Sequence, residues 1–339
     1  MAKILLHKDA LYNNLTILSK KTESIDKLAP VLKDNAYGHG LEKMARLLKE
    51  FGIKKVVVRK ESEAREVCEL FEEVIVLGEV SSTPLPKCTY TINHIDDIKK
   101  CKKGMSIELK VDSGMHRNGI EPKYLKQAIE LLKRAKIELK GVFTHNRGGD
   151  DLSSSFFWQR RGFEEIKTTV LGICKKLDIP EPRFHSLSSS GIFRTKKITD
   201  DLVRPGIALY GYLEWDDVFG DVGLKPVLEL KARKTSTLML KKGSKVGYSG
   251  VGVLKEDSKI SSYDIGYGDG LFRASEHFCA CIEDGREIIG RVSMDYFSLL
   301  GEDEEITVFR DAKRFAKQFK TISYDQLVKL SSSIPKEIV

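Results

Sequence analysis

Lys33 stands in the run Ala29-Pro-Val-Leu-Lys-Asp-Asn-Ala-Tyr-Gly-His-Gly40. A lysine directly after a short apolar stretch, with Gly38 and Gly40 behind it, sits where a strand gives way to a loop. An amine there can condense with an aldehyde cofactor to form an imine. A solvated loop lysine is the plainer alternative for one lysine taken alone. Other reactive residues also follow apolar runs: Asp112-Ser-Gly-Met-His-Arg-Asn-Gly119, His145, Ser188 to Ser190, and Arg204-Pro-Gly-Ile207. Singly, His145 reads as a buried core histidine, the serines as a turn, and Arg204 as half of a structural ion pair.

The elements that must position these residues alternate along the first part of the chain. Strand-like runs fall at Ala29–Lys33, Lys55–Val58, Val74–Leu77, Tyr90–Asn93, Ile107–Val111, Gly141–Thr144, Arg183–Leu187 and Val203–Leu209. Amphipathic stretches lie between them. Leu41, Met44, Ala45, Leu48 and Phe51 recur at helical spacing, as do Tyr124, Leu125, Ala128, Ile129 and Leu132. Eight such units predict an α/β fold, a (β/α)8 TIM-type barrel over 8–212. In a barrel the reactive residues gather at the C-terminal ends of the strands, so these scattered positions would share one rim. After a linker, Glu214–Gly223, the texture becomes strand-like and glycine-broken. Runs at Val227–Leu240, Ile260–Ile265, Phe278–Ile282, Glu287–Val292 and Glu305–Phe309 predict a mostly β domain over 224–339. Helical periodicity returns at about Tyr324–Leu330, and the strand in 1–7 is free to join the second domain's sheet.

Composition bounds the rest. With 339 residues and 41 % hydrophobic content, one large barrel and a smaller domain can each bury a core. No apolar run approaches the ~20 residues of a membrane span, and the opening segment is too short in apolar length for a secretion signal. The six cysteines form no CxxC pair, which predicts reduced thiols in a cytoplasm, no disulfide frame and no metal site. A net charge of +8 admits nucleic acid as a partner. The lysines are interleaved with acids, however, and no arginine-rich arm or aromatic stacking motif is present, so a solvated basic surface accounts for the charge.

Taken together, Lys33 through Gly40, Val111 through Gly119, Thr144-His145, Val203 through Gly211, Ile265 through Gly270 and Gly290 through Asp295 resemble the successive signatures of the alanine racemases, in that family's order and over nearly the whole chain. The resemblance implies a pyridoxal 5′-phosphate enzyme that interconverts L- and D-alanine as a head-to-tail homodimer, supplying D-alanine for peptidoglycan. By the same resemblance Lys33 holds the cofactor and serves as base on one face of the substrate. Tyr248, in Val246-Gly-Tyr-Ser-Gly, is the opposing base from the other subunit; on spacing alone a sheet tyrosine is the plainer reading. Arg204 faces the pyridine nitrogen, and His185 belongs to the same polar network. Tyr37, Ser189, Gly206 and Ile207 match the phosphate contacts, and His145 the residue against the ring. Arg117 matches the arginine beside the substrate carboxylate. Lys110 aligns with a lysine carbamylated in some members. Met294, Asp295 and Tyr267 match the partner's pocket rim and inner gate.

Departures from the family pattern are Asp34 where alanine is common, Ser188 where asparagine is frequent, and no match to a C-terminal tyrosine that contacts phosphate in many relatives. Broader amino-acid racemases, a related barrel decarboxylase, and a pyridoxal-phosphate-binding homeostasis protein are the alternatives. The last lacks a β domain, so residues 224–339 count against it.

Overall fold

The computed structural model describes residues 1–273 and 280–339. Strand β1 (Lys3–Leu6) and helix α1 (Lys8–Thr22) lead into a short turn of helix, α2 (Lys33–Tyr37), and then α3 (Leu41–Phe51). Six parallel strands follow: β2 (Lys55–Val58), β3 (Glu73–Val76), β4 (Cys88–Ile92), β5 (Ser106–Lys110), β6 (Glu138–Phe143) and β7 (Arg183–His185), paired in chain order. Every residue of β3 and β4 is buried, as expected of a sheet covered on both faces. The flanking helices are α4 (Glu61–Val67), α5 (Leu125–Ala135), α6 (Ser155–Leu177) and α7 (Ser189–Arg194). In α3 the residues Leu41, Met44, Ala45 and Leu48 are buried, and in α5 Leu125, Ala128, Ile129 and Leu132 are. Both apolar stripes therefore face the sheet.

The first and eighth expected strands are reduced to single bridges. Val31 pairs with Val57, Leu28 with Val203, and Ser188 with Arg204. The circle still closes: the amide of Ala29 donates to Val203 O at 2.9 Å, Val31 N to Pro205 O at 2.9 Å, and Arg204 N to Leu187 O at 2.9 Å. Pro30 and Pro205 can accept but not donate, so neither segment sustains a ladder. Beyond Gly206 the expected strand is instead a 3-10 turn, Ile207–Tyr210. The architecture is the expected α/β barrel with its mouth at the C-terminal strand ends.

The second domain is organised by β8 (Leu228–Leu240). A hairpin of β9 (Lys245–Val246) and β10 (Gly252–Val253) precedes β11 (Ser258–Tyr263), β12 (Phe297–Leu300) and β13 (Glu305–Phe309). Helices α8 (Ala312–Gln318) and α9 (Ser323–Lys329) and strand β14 (Lys336–Ile338) follow. The sheet order is β12-β11-β8-β1-β14, with β13 also on β8. β1 runs antiparallel to β8 and parallel to β14. The run expected as a strand over Glu287–Val292 makes only isolated bridges, because Gly290 adopts φ 72 and turns the chain against Val246 O. Phe278 and Cys279, in another expected strand, lie outside the described residues. Helix α8 was not expected from the sequence.

Candidate active site

Lys33 does not end a strand; it opens a left-handed turn. Asp34, Asn35, Ala36 and Tyr37 all have φ between 52 and 56°, and Gly38 follows at 80°. For non-glycine residues that conformation costs roughly 1–2 kcal/mol each, so the surroundings must hold it. The Asp34 amide donates to Glu63 Oε1 at 2.6 Å, and Asn35 Oδ1 accepts the Leu41 amide at 2.9 Å. Tyr210 Oη donates to Val31 O at 2.9 Å. Gly38 abuts the carbonyl of Leu327 on α9 so closely that any side chain there would collide with it. The turn is thus clamped by α4, α3 and the second domain. It carries Lys33 Nζ into a cleft of about 350 Å³ at the barrel mouth.

Lys33, Tyr37, Lys110, Arg117, His145, Ser189, Arg204 and Gly206 all line this one cleft. Four of them are cations, and they disfavour protonation at Lys33, Lys110 and His145. Burial holds the Lys33 ammonium below its usual range; Asp34 opposes that shift, and Arg117 adds to it. Lys110 is pushed down to about 8 by burial and by Arg117 and Arg204. His145 falls to about 3 through burial and the four cations, so its ring is neutral. Lys110 Nζ is bonded to Asn118 Oδ1. Asp34, beside Lys33, pairs with Arg59 at 3.5 Å.

One end of the cleft collects hydrogen-bond donors. The amides of Gly206 and Ala208 converge on Ser189 Oγ at 3.0 and 3.1 Å. Tyr37 Oη faces Gly206 so closely that a Cβ at that glycine would be 2.7 Å away. Tyr324 of α9 joins them: it lines the same cleft, and its ring lies 5.7 Å from that of Tyr37. Burial raises both phenols above their usual range, so both remain protonated donors. Ile207 sits one residue beyond, with its side chain in the core.

Arg204 forms the floor. Its guanidinium donates to Thr144 O at 2.7 Å and to His185 Nδ1, and lies 4.9 Å over the Phe143 ring. His185 is fully buried behind it.

Four sequence-predicted residues are not brought to this cleft. Tyr248, Tyr267, Met294 and Asp295 lie on the second domain. There Arg273 sits 6.0 Å from the Tyr248 ring and 5.6 Å from that of Tyr267, and Gly268 N donates to Met294 O at 2.9 Å. Tyr248 is 61 % exposed and Met294 55 %. The chain therefore carries two separate clusters, one recessed and cationic, one outward-facing and aromatic. Sequence reasoning missed Tyr324, whose helix reads as ordinary core packing. It also missed Asn146, which lines the cleft with its buried Oδ1 unpaired. Glu108, bonded to His185 Nε2 at 3.0 Å inside the barrel, was likewise not foreseen. Its place among the alternating polar residues Ser106, Glu108 and Lys110 reads as an ordinary strand face.

Comparison with known proteins covers the same span. The model described as "Alanine racemase, N-terminal domain" matches residues 6–214, and "Alanine racemase, C-terminal domain" matches 227–338. The alanine racemase of a Nitratiruptor species is 45 % identical over 337 residues, 99 % of each chain. That of Campylobacter concisus is 41 % identical over 340 residues, all of both chains. Among solved structures, an alanine racemase of Clostridium difficile 630 superposes with TM-score 0.90 at 25 % identity, over all of this chain and 95 % of that one. The Bacillus anthracis alanine racemase with bound L-Ala-P gives 0.88 at 26 % identity, over 100 % and 95 %.

Proposed function

The chain belongs to the alanine racemase family, and on that premise we propose that it interconverts L- and D-alanine with pyridoxal 5′-phosphate, using one base from each of two copies of itself. The observation that carries this reading is the recessed cationic cleft around a lysine whose amine is held below its ordinary pKa. The residues fit the cofactor. Tyr37, Tyr324, Ser189 and the Gly206 amide offer donors of the kind a phosphate dianion takes up. His145 and Arg204 flank the space for its ring, and Lys33 is the amine that holds it. Bound there, the cofactor supplies an electron sink that acidifies the substrate's α-carbon.

The chain's own residues do the rest. The depressed Lys33 keeps a larger neutral fraction than an exposed lysine, so Nζ can take or return a proton on one face. Arg117, at the rim, holds the substrate carboxylate and orients the α-carbon. Arg204 would present a cation to the pyridine nitrogen and disfavour a proton there. Inversion needs a second proton carrier on the opposite face, and Tyr248 is the group we assign. On its own chain it faces outward with Tyr267 and Met294, so it serves the cleft of a second copy in a homodimer, where Met294, Asp295 and Tyr267 narrow the entrance. Lys110, pushed to about 8, has enough neutral amine to add carbon dioxide, releasing a proton and becoming a carbamate that pairs with Arg117. We assign the D-alanine to peptidoglycan synthesis in the cytoplasm. Among the described residues no helix is long and apolar enough to cross a membrane.

Mixing two inactive variants tests the shared site. Lys33→Ala and Tyr248→Phe homodimers should each lose racemisation by at least about a thousandfold. Mixed dimers should recover part of it, because one of their two clefts is intact. Mixed dimers shown to form but inactive would reject the two-copy site.

A further inference from the structure

The barrel interior holds a second set of charges that the proposed reaction does not use. Glu108, on β5, and His185, on β7, are both fully buried in the barrel core. Glu108 accepts from Arg183 Nε at 2.7 Å and from His185 Nε2 at 3.0 Å. Arg183 continues to Glu73, with bonds of 2.6 and 2.7 Å, and Lys140 reaches Glu73 at 3.1 Å. The chain of contacts therefore runs from the foot of the barrel through Glu108 and His185 to Arg204 at the cleft floor.

Its polarity is fixed by what each group can do. A guanidinium only donates, so His185 Nδ1 must present its lone pair to Arg204. The ring proton then sits on Nε2 and points at Glu108. The Phe143 ring lies parallel to that of His185, at 4.8 Å and 5°, and holds its plane. Burial keeps the imidazole neutral, below its usual range; Glu108 opposes that shift, and Arg204 and Arg183 add to it. Every rotation of the ring is thereby fixed, and with it the direction of Arg204.

We propose that Glu108 is a positioning residue for the reaction: through the Nε2–H tautomer of His185 it holds the Arg204 guanidinium in place and partly offsets its charge. This rests on the reading of the cleft given above. A purely structural role, as counter-ion to Arg183, would leave the cleft chemistry unchanged.

Two measurements on the purified protein separate these. In the cofactor-free protein, the ring ¹⁵N shifts of His185, assigned by its loss in His185→Gln, should show a neutral Nε2–H imidazole from pH 5 to 9. A doubly protonated ring or the Nδ1–H tautomer overturns the proposal. In the holoenzyme, Glu108→Gln removes a negative charge near Arg204. The pH midpoint of the bound cofactor's absorbance should then fall by on the order of half a unit, and kcat by about tenfold with the alanine KM within about twofold. Glu108→Asp, which keeps the charge, should restore the midpoint. A folded Glu108→Gln with unchanged midpoint and kcat overturns the proposal, whatever its melting temperature. Should that variant not fold, the neutral pair Glu108→Gln/Arg183→Gln is measured instead, with the same outcomes. Wild-type protein with no cofactor band defeats the reading of the cleft itself. A normal wild type with an indifferent Glu108 defeats only this inference.

Discussion

Two arginines mark the two ends of the barrel, and they live in opposite surroundings. At the foot, Arg183 is bonded to Glu73 and Glu108, and those carboxylates raise its pKa above the usual value. At the mouth, Arg204 is bonded to a neutral imidazole and a carbonyl, and burial lowers it to about 10. The foot balances its charges internally. The mouth is left with Lys33, Lys110, Arg117 and Arg204 in excess and waits for an anion from outside. On the function proposed above, stability is assigned to one end and binding to the other.

The largest expected effect tests that division directly. Arg183→Met takes the guanidinium from two buried carboxylates and should cost about 3–5 kcal/mol of unfolding free energy. Arg204→Gln, which keeps a donor for Thr144 O, should stay within about 1 kcal/mol of wild type while abolishing most racemisation. Equal losses in urea titrations would erase the distinction between the ends. A pH series sharpens it. His145 binds a proton only near 3 when folded but near 6.5 when unfolded, so acid favours the unfolded chain from pH 6.5 downward. Glu108 titrates at about 2 when folded and near 4.5 unfolded, so its stabilisation is complete above 4.5 and fades toward 2. In the cofactor-free protein, His145→Gln should flatten the upper part of the acid slope, by at most about 1.4 kcal/mol per pH unit, and Glu108→Gln only the lower.

Smaller effects follow at the donor end. Tyr324→Phe should weaken cofactor binding about five- to tenfold, read as Kd by titrating the cofactor into apoprotein, with stability changed by less than about half a kcal/mol. An unchanged Kd would remove Tyr324 from the cofactor's contacts. The smallest concerns the strained turn. Ala36→Gly gives up a buried methyl but relieves a left-handed φ, so its net change should lie within about half a kcal/mol of zero. Ala45→Gly, in the middle of α3, should cost about 1 kcal/mol or more. Equal costs would show that the turn is unstrained.

Much of this was legible in the residues. The lysine run, the serines and the Arg204 segment pointed to one rim, and the helices and the six central strands followed their periodicity. The edges of the barrel were less legible, because Pro30 and Pro205 permit closure with single bonds where a pattern of apolar residues suggests full strands. Nothing in Asp34-Asn35-Ala36-Tyr37 announces a left-handed turn beyond the tolerance of its first two residues for that conformation. Its clamp comes from Glu63 and Leu327, far away in sequence. Glu108 was hidden for the same reason: a lone acid in a buried strand becomes meaningful only once β7 sets His185 and Arg183 beside it. Tyr324 occupies a helix whose spacing says core, and only the docking of α9 on α2 turns it toward the cleft.

β1 has a bearing on how the molecule comes into being. Residues 3–6 are made more than two hundred residues ahead of their partners, 228–240 and 336–338. At about 5–20 residues per second that edge spends roughly ten seconds or more without a neighbour while the barrel takes shape beside it. A strand carrying Ile4, Leu5 and Leu6 and left waiting so long is a natural handle for chaperones, and a natural site at which two nascent chains could join by mistake.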